Sequence, residues 1–240
     1  MARPTSREKL LDAAEALFAE RGLAAVSLRA INAAVGLSPA ALHYHFGTKQ
    51  VLVEAILLRR MPELMAKRGA LLEGLAVSLD PPDARAVVGA FLRPLVELLL
   101  DEPEAGRRYI RFLARAFTDG DVDTGFVLAH FEEDVAKLDP LLQRALPELP
   151  IDLVRVRLSI AIESGLHALA NADTYMSYGQ LFDEGQKISP EQFANVLLDF
   201  IAGGLGAPSQ LAETPIPDSH DFASPPPEDD ARESKPGEEA

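Results

Sequence analysis

The stretch over residues 27–49, SLRAINAAVGLSPAALHYHFGTK, restricts the fold of this chain more than any other part of it. Ser27 is an N-cap candidate for a short helix carrying Leu28, Ile31 and Ala34, and Gly36 stops that helix. Ser38 followed at once by Pro39 is a second N-cap with proline in the first helical position, and this helix runs to about His45. Gly47 and Thr48 then open a longer fourth helix with Val51, Leu52, Ala55 and Ile56 expected to face inward. Two short helices with a glycine-bearing turn form the helix-turn-helix arrangement, whose second helix can enter a DNA major groove. Leu28, Ile31, Val35, Leu37 and Leu42 supply the small core that sets the angle between the two helices. Ala33 and Ala34 allow close packing, and Gly36 permits the turn. Pro39, Ala40 and Ala41 keep the second helix slim, while His43, Tyr44 and His45 offer hydrogen-bonding groups to phosphates and base edges. Thr48 and Lys49 bring backbone N–H groups, a helix dipole and a lysine together, and Ser27 with Arg29 does the same at the second helix; such ends attract phosphate.

Helical punctuation continues on both sides of this stretch. Thr5 and Glu8 read as a capping box for a first helix with Leu10, Leu11, Ala14, Leu17 and Phe18 at helical spacing, ended by Gly22. Asp80 and Pro81 are expected to cap a helix through Phe91, Leu95 and Leu99; further helices are expected over 104–117 and 122–138. A long one over 151–170 carries Val154, Leu158, Ala161, Gly165, Leu166 and Leu169 on or near one face. Ser189-Pro190-Glu191-Gln192 is a capping box that opens a last helix to about Ile201. With about nine helices and no convincing strand, the fold class is all-α. The expected organisation is a helix-turn-helix domain at 1–47, a helical body at 48–206 connected through the helix at 48–60, and a tail at 207–240. That tail is rich in proline and holds nine acidic residues against two basic ones. It lacks the apolar surface that offsets ordering entropy and is expected to be disordered.

Net charge is −14, which by itself argues against a nucleic-acid partner, but its distribution is uneven. Residues 1–70 hold ten Lys/Arg against six Asp/Glu, a balance of +4, and residues 71–240 balance at −18. A basic head on an acidic body orients a molecule toward a polyanion. The chain has no cysteine, which removes disulfides and thiolate metal sites. No apolar run approaches the roughly 20 residues that cross a bilayer, so a soluble cytoplasmic protein is expected, with no membrane partner. The possible metal or acid–base groups are His43 with His45, Glu163 with His167, and His130 near Glu133 and Asp134. No third ligand at a suitable spacing joins any of them, and no phosphate-cradling glycine loop or nucleophile elbow occurs. An enzyme, a metal and a cofactor are therefore not expected.

The N-terminal sixty residues resemble the DNA-binding domain of the tetracycline-repressor (TetR) family. The resemblance rests on LLDAAEALFAERG ending at Gly22, on Ser27-Leu28 with Ile31, on Gly36-Leu37-Ser38, and above all on Leu42-His43-Tyr44-His45-Phe46 followed by Lys49. Asn32 departs from the family's usual alanine, and His43 stands where a tyrosine usually contacts phosphate. The resemblance implies a regulator that binds a palindromic operator as a homodimer, a repressor released by a ligand. It implies DNA contacts from Ser27, Arg29, Ser38, Pro39, Ala40, Ala41, His43, Tyr44, His45, Thr48 and Lys49. It also implies a helical ligand-binding domain that dimerises through the helices at 151–170 and 190–201, with Ala161, Gly165 and Ala168 allowing close approach.

Aromatic residues and prolines concentrate in the middle helices. Pro62 inside the fourth-helix pattern and Pro94 inside the fifth would kink them and loosen their packing. Phe91, Arg93, Tyr109, Phe112, Phe117 and Phe126 are the candidate effector contacts, with Arg108, Arg111 and Arg115 near the same helices. The effector class this suggests is small and apolar or amphipathic. LHYHFG and the PELP segment are loosely similar to members responsive to fatty acids and lipids. A helical protein–protein adaptor and an activator of the same fold remain the alternative readings.

Overall fold

The computed structural model describes residues 4–118, 136–178 and 188–209, and every regular element among them is a helix. In chain order these are α1 (Ser6–Arg21), α2 (Leu28–Ala34), α3 (Pro39–His45), α4 (Lys49–Leu57), α5 (Met61–Ala76), α6 (Ala84–Asp101), α7 (Pro103–Thr118), α8 (136–145), α9 (Ile151–Ala170), α10 (Ala172–Tyr178) and α11 (Pro190–Leu205). Most of the helix expected over 122–138, with Phe126, His130, Glu133 and Asp134, lies outside the described residues, as does the tail beyond Ser209.

The head is built from local caps. Thr5 N donates to Glu8 Oε2 at 2.7 Å and Glu8 N donates to Thr5 Oγ1 at 3.2 Å, so two of the orphan donors at the start of α1 are satisfied reciprocally. Ser27 accepts from Ala30 N and Thr48 from Val51 N, each at 3.2 Å. Ser38 makes no such bond; Pro39 at the first turn of α3 supplies the fixed backbone angle instead. The turns into α3 and α4 pass through Gly36 and Gly47 at φ +66° and +70°, the left-handed region where a Cβ is costly.

Three expectations are corrected here. The inward face of α4 is Leu52, Val53, Ile56 and Leu57, whereas Val51 is exposed and Ala55 only half-buried. Both stripes have helical spacing, and the neighbouring helix α1 decides between them. Nor does α4 continue through Pro62. It ends at Leu57, and Pro62 lies in the first turn of α5, where a missing N–H costs no hydrogen bond. The cap of α6 is Asp83, whose Oδ1 accepts from Ala86 N at 2.6 Å, and not Asp80. Asp80 and Pro81 each precede a proline, which drives both out of the helical region.

In the body, α7 packs against α1, α6 and α9, while α6 also meets α5 and α11. Tyr109, Ile110, Phe112, Leu113 and Ala116 form the buried face of α7. Pro94 does lie inside α6, as expected. Beside it the buried guanidinium of Arg68 donates through Nε to the Phe91 carbonyl at 3.1 Å and stacks 3.9 Å from the Phe91 ring centroid. A single connected apolar core runs from Leu10 in α1 to Leu205 in α11, so head and body share one interior.

Candidate nucleic-acid interface

The recognition surface follows from which side of α3 is anchored. Leu42 and Phe46, four residues apart, are buried, and this fixes the helix on α1 and α2. Ala40, His43 and Tyr44 consequently face solvent, with Tyr44 86% exposed. The Tyr44 ring meets His45 edge-on with centroids 5.2 Å apart, and His45 is half-buried beside Phe46. Ala41 is half-buried and Ser38 exposed; Pro39 starts the helix.

The turn before α3 is pinned by one residue. Asn32 O accepts from Val35 N at 3.3 Å and from Leu37 N at 3.1 Å, while Asn32 Nδ2 donates to Leu28 O at 3.2 Å. The side chain that departs from the family's usual alanine is thus buried, and it is tied to its own helix.

Around α3, Thr48 caps α4, and Lys49 follows in the first turn, half-buried with Nζ 6.0 Å from the Phe18 ring centroid. The ammonium thus lies over the ring, at the distance of a cation–π contact. Ser27 and Arg29 are exposed on α2. One further group belongs to this surface and was not singled out from the sequence. Arg7 stacks 5.3 Å from the Phe46 ring centroid at the end of α3, whereas Lys9, two residues further along α1, is exposed on another face of that helix. The only sequence signal for Arg7 was the positive balance of the first seventy residues.

The expected effector contacts do not form one cluster. Tyr109 and Phe112 have their centroids 6.2 Å apart, and Phe112 lies 6.2 Å from Phe18 of α1. Tyr109 Oη donates to Leu57 O at 3.0 Å. These rings fill the joint between head and body, and Phe91 lies beneath Arg68. Arg93 lines a cavity of about 530 Å³ between α5, α6 and α11, together with Leu71, Leu75, Gly89, Ala90 and Leu198. Phe117 lines a separate cavity of about 350 Å³ between α1, α7 and α9, with Arg111, Arg115, Glu163 and His167. Several of the expected arginines are engaged within the chain: Arg93 with Glu97, Arg108 with Glu15, and Arg111 with the Ala170 carbonyl at the end of α9. Among the described residues no three His, Asp or Glu side chains converge on a metal-sized site.

Residues 10–56 match the family model described as bacterial regulatory proteins, tetR family, and residues 89–204 match the tetracyclin repressor-like C-terminal domain. The HTH-type transcriptional repressor Rv3405c of Mycobacterium tuberculosis is 33% identical over 171 residues, 70% of this chain and 72% of that protein. The HTH-type transcriptional regulator UidR of Escherichia coli (strain K12) is 35% identical over 74 residues, 31% of this chain and 37% of UidR. The match thus spans about a third of the length of UidR. A TetR-like transcriptional regulator from Rhodococcus sp. RHA1 superposes with a TM-score of 0.58 at 21% identity, covering 87% of this chain and all of that one, a likeness of fold.

Proposed function

Because the chain belongs to the tetR family of bacterial regulatory proteins, we propose that it is a DNA-binding transcriptional repressor that meets a palindromic operator as a homodimer and is released by a small ligand. The observation that carries this reading is the exposed face of α3. Tyr44 stands 86% exposed on a helix whose opposite side is locked by Leu42 and Phe46. A rigid helix presenting an aromatic hydroxyl, a neighbouring histidine and small alanines is shaped for a groove edged with phosphates. The proposed contacts are Ser27, Arg29, Ser38, Pro39, Ala40, Ala41, His43, Tyr44, His45, Thr48 and Lys49, to which the geometry adds Arg7.

Dimerisation is assigned to α9 and α11. Val156 and Ile160 on α9 are each 60% exposed, and Val196 and Phe200 on α11 are 58% and 75% exposed. Four large apolar side chains on two neighbouring helices call for a partner surface. The face differs from the one suggested by the small residues. A Cβ at Gly165 would lie 3.1 Å from Leu92 and 3.3 Å from Ile201, so that glycine serves packing within the chain. The effector is assigned to the apolar or amphipathic class, fatty acyl chains included, on the strength of the cavity beside Arg93, whose volume is in the range of ligand pockets. No described helix is long and apolar enough to cross a membrane. The site of action we propose is the cytoplasm.

The test is fluorescence anisotropy on duplexes from the region upstream of the protein's own gene. Tyr44→Ala and Lys49→Ala are each expected to weaken binding roughly tenfold, within the 1–3 kcal/mol typical of a good contact, without loss of fold. Binding should also weaken steeply with salt, and Lys49→Ala should reduce that slope by about one. Duplex binding that is indifferent to salt and to both substitutions would leave the adaptor reading in its place. Release of the bound duplex by long acyl chains, against aromatic compounds as a second panel, tests the effector class.

A further inference from the structure

Between α4 and α5 the chain places two arginines side by side, and they hold opposite parts of the molecule. Arg59 reaches α1, with Nη2 2.7 Å from Asp12 Oδ1 and Nη1 3.4 Å from Glu15 Oε2. Arg60 reaches the corner between α6 and α7, pairing with both oxygens of Glu102 at 3.1 and 2.7 Å, and its guanidinium lies 5.8 Å from the Tyr109 ring centroid. Glu15 completes the circuit: its other oxygen, Oε1, accepts from Arg108 Nε of α7 at 3.0 Å. The carboxylate is buried, 2% exposed, and its two oxygens are divided between a linker arginine and a body arginine.

We propose that Glu15, shared between Arg59 and Arg108, is the positioning residue that transmits displacement of α7 to the recognition head. The inference rests on the DNA-binding reading above and assigns its coupling to named atoms. Parting Arg108 from Glu15 strips a buried carboxylate oxygen of its donor, a cost that separates a joined arrangement from a parted one. A shift of α7 against α1 acts on the Arg108–Glu15 bond at 3.0 Å, while Arg59 stays on α1 through Asp12 at 2.7 Å. The head then follows through α1, whose Phe18 stacks on Phe112 of α7 and carries the Lys49 ammonium over its ring. Arg60, clasped to Glu102, keeps the linker itself from swinging free of the body.

The cysteine-free chain permits a direct test on the full-length protein. Nitroxides placed through Ala33→Cys in the head and Val77→Cys in the body, diluted with unlabelled protein, report the intramolecular head–body distance. Glu15→Gln should broaden that distribution, and Glu15→Asp, which keeps the charge, should restore most of its width. In parallel, a fluorescein-labelled duplex selected from a random-sequence pool reports affinity. Glu15→Gln and Arg108→Gln should each change its Kd by about fivefold or more, and the double variant should change it no further than the larger single one. A part that is only structural would show this non-additivity in melting temperature and leave Kd untouched. An unbroadened distance distribution, an unchanged Kd or additive effects on Kd each overturn the proposal. If the pool yields no bound duplex, the DNA-binding reading fails on its own, and the distance measurement still decides whether Glu15 sets the position of the head.

Discussion

Two tyrosines show how one residue type serves opposite ends in this molecule. Tyr44 holds its ring in solvent, whereas Tyr109 is fully buried with its hydroxyl donated to the Leu57 carbonyl. Burial pushes the Tyr109 phenol well above the ordinary tyrosine value of 10, the carboxylate of Glu15 adds to the rise, and the Arg60 charge opposes it. The direction gives the sign of the pH dependence. A group whose value is raised on folding contributes stability that is present in full below its unfolded value and is lost as pH climbs from about 10 upward. Melting curves between about pH 8 and pH 11 should therefore fall more steeply for the parent chain than for Tyr109→Phe. At neutral pH that variant should be the weaker one by about 1 kcal/mol, the net worth of one hydrogen bond. Parallel curves for the two proteins would show that the alkaline loss comes from other groups.

At the scale of elements, glycines separate what is local from what is tertiary. A Cβ at Gly106 would lie 2.3 Å from the Leu98 carbonyl oxygen, across the corner where α6 turns into α7 at Glu102 and Pro103. One at Gly89, in the interior of α6, would meet nothing within 4 Å. Urea unfolding should find Gly106→Ala destabilised by about 1–3 kcal/mol, since backbone must move, and Gly89→Ala stabilised by about 0.5–1 kcal/mol. Equal effects of one sign would contradict this account of the corner. The same division explains what the sequence made legible. Capping at Thr5, Ser27, Thr48 and Ser189 involves groups three residues apart, so the starts of α1, α2, α4 and α11 could be read directly. The α3 face was legible in part: Leu42 as a core residue leaves His43 and Tyr44 outside, whereas the burial of Phe46 and the half-burial of His45 depend on how α3 meets its neighbours. Pro62 suits a kink and a first turn equally, and choosing between them required the break after Leu57. Tyr109 and Phe112 have the spacing of a cavity wall and also that of a core, and the packing of Phe112 on Phe18, more than ninety residues away in the chain, is a tertiary contact that spacing does not carry.

For the whole molecule, charge and apolar surface make opposing demands that salt can pull apart. Residues 71–240 balance at −18, so two copies brought together through α9 and α11 repel one another at long range. In the proposed dimer the attraction comes from Val156, Ile160, Val196 and Phe200, uncharged side chains whose contribution depends little on ionic screening. The proposed DNA binding has the reverse character, because cations such as Arg7, Arg29 and Lys49 would gain affinity from counterion release. Raising salt from about 50 to 200 mM should hence leave the dimer intact or firmer, the repulsion being screened, while duplex affinity falls by orders of magnitude. Phe200→Glu should undo the dimer by placing a carboxylate in the patch. The mass seen by light scattering should fall from twice 25.9 kDa to 25.9 kDa, with the helical circular-dichroism signal retained. A single head loses the benefit of a tethered second one, so its affinity for a palindromic duplex should drop about 10²-fold or more, while binding to one half-site should stay close to that of a single head of the parent protein. A Phe200→Glu protein that keeps the dimer mass and full affinity would place the interface on another face, and the spacing of about 34 Å between recognition helices would then have to be set from there.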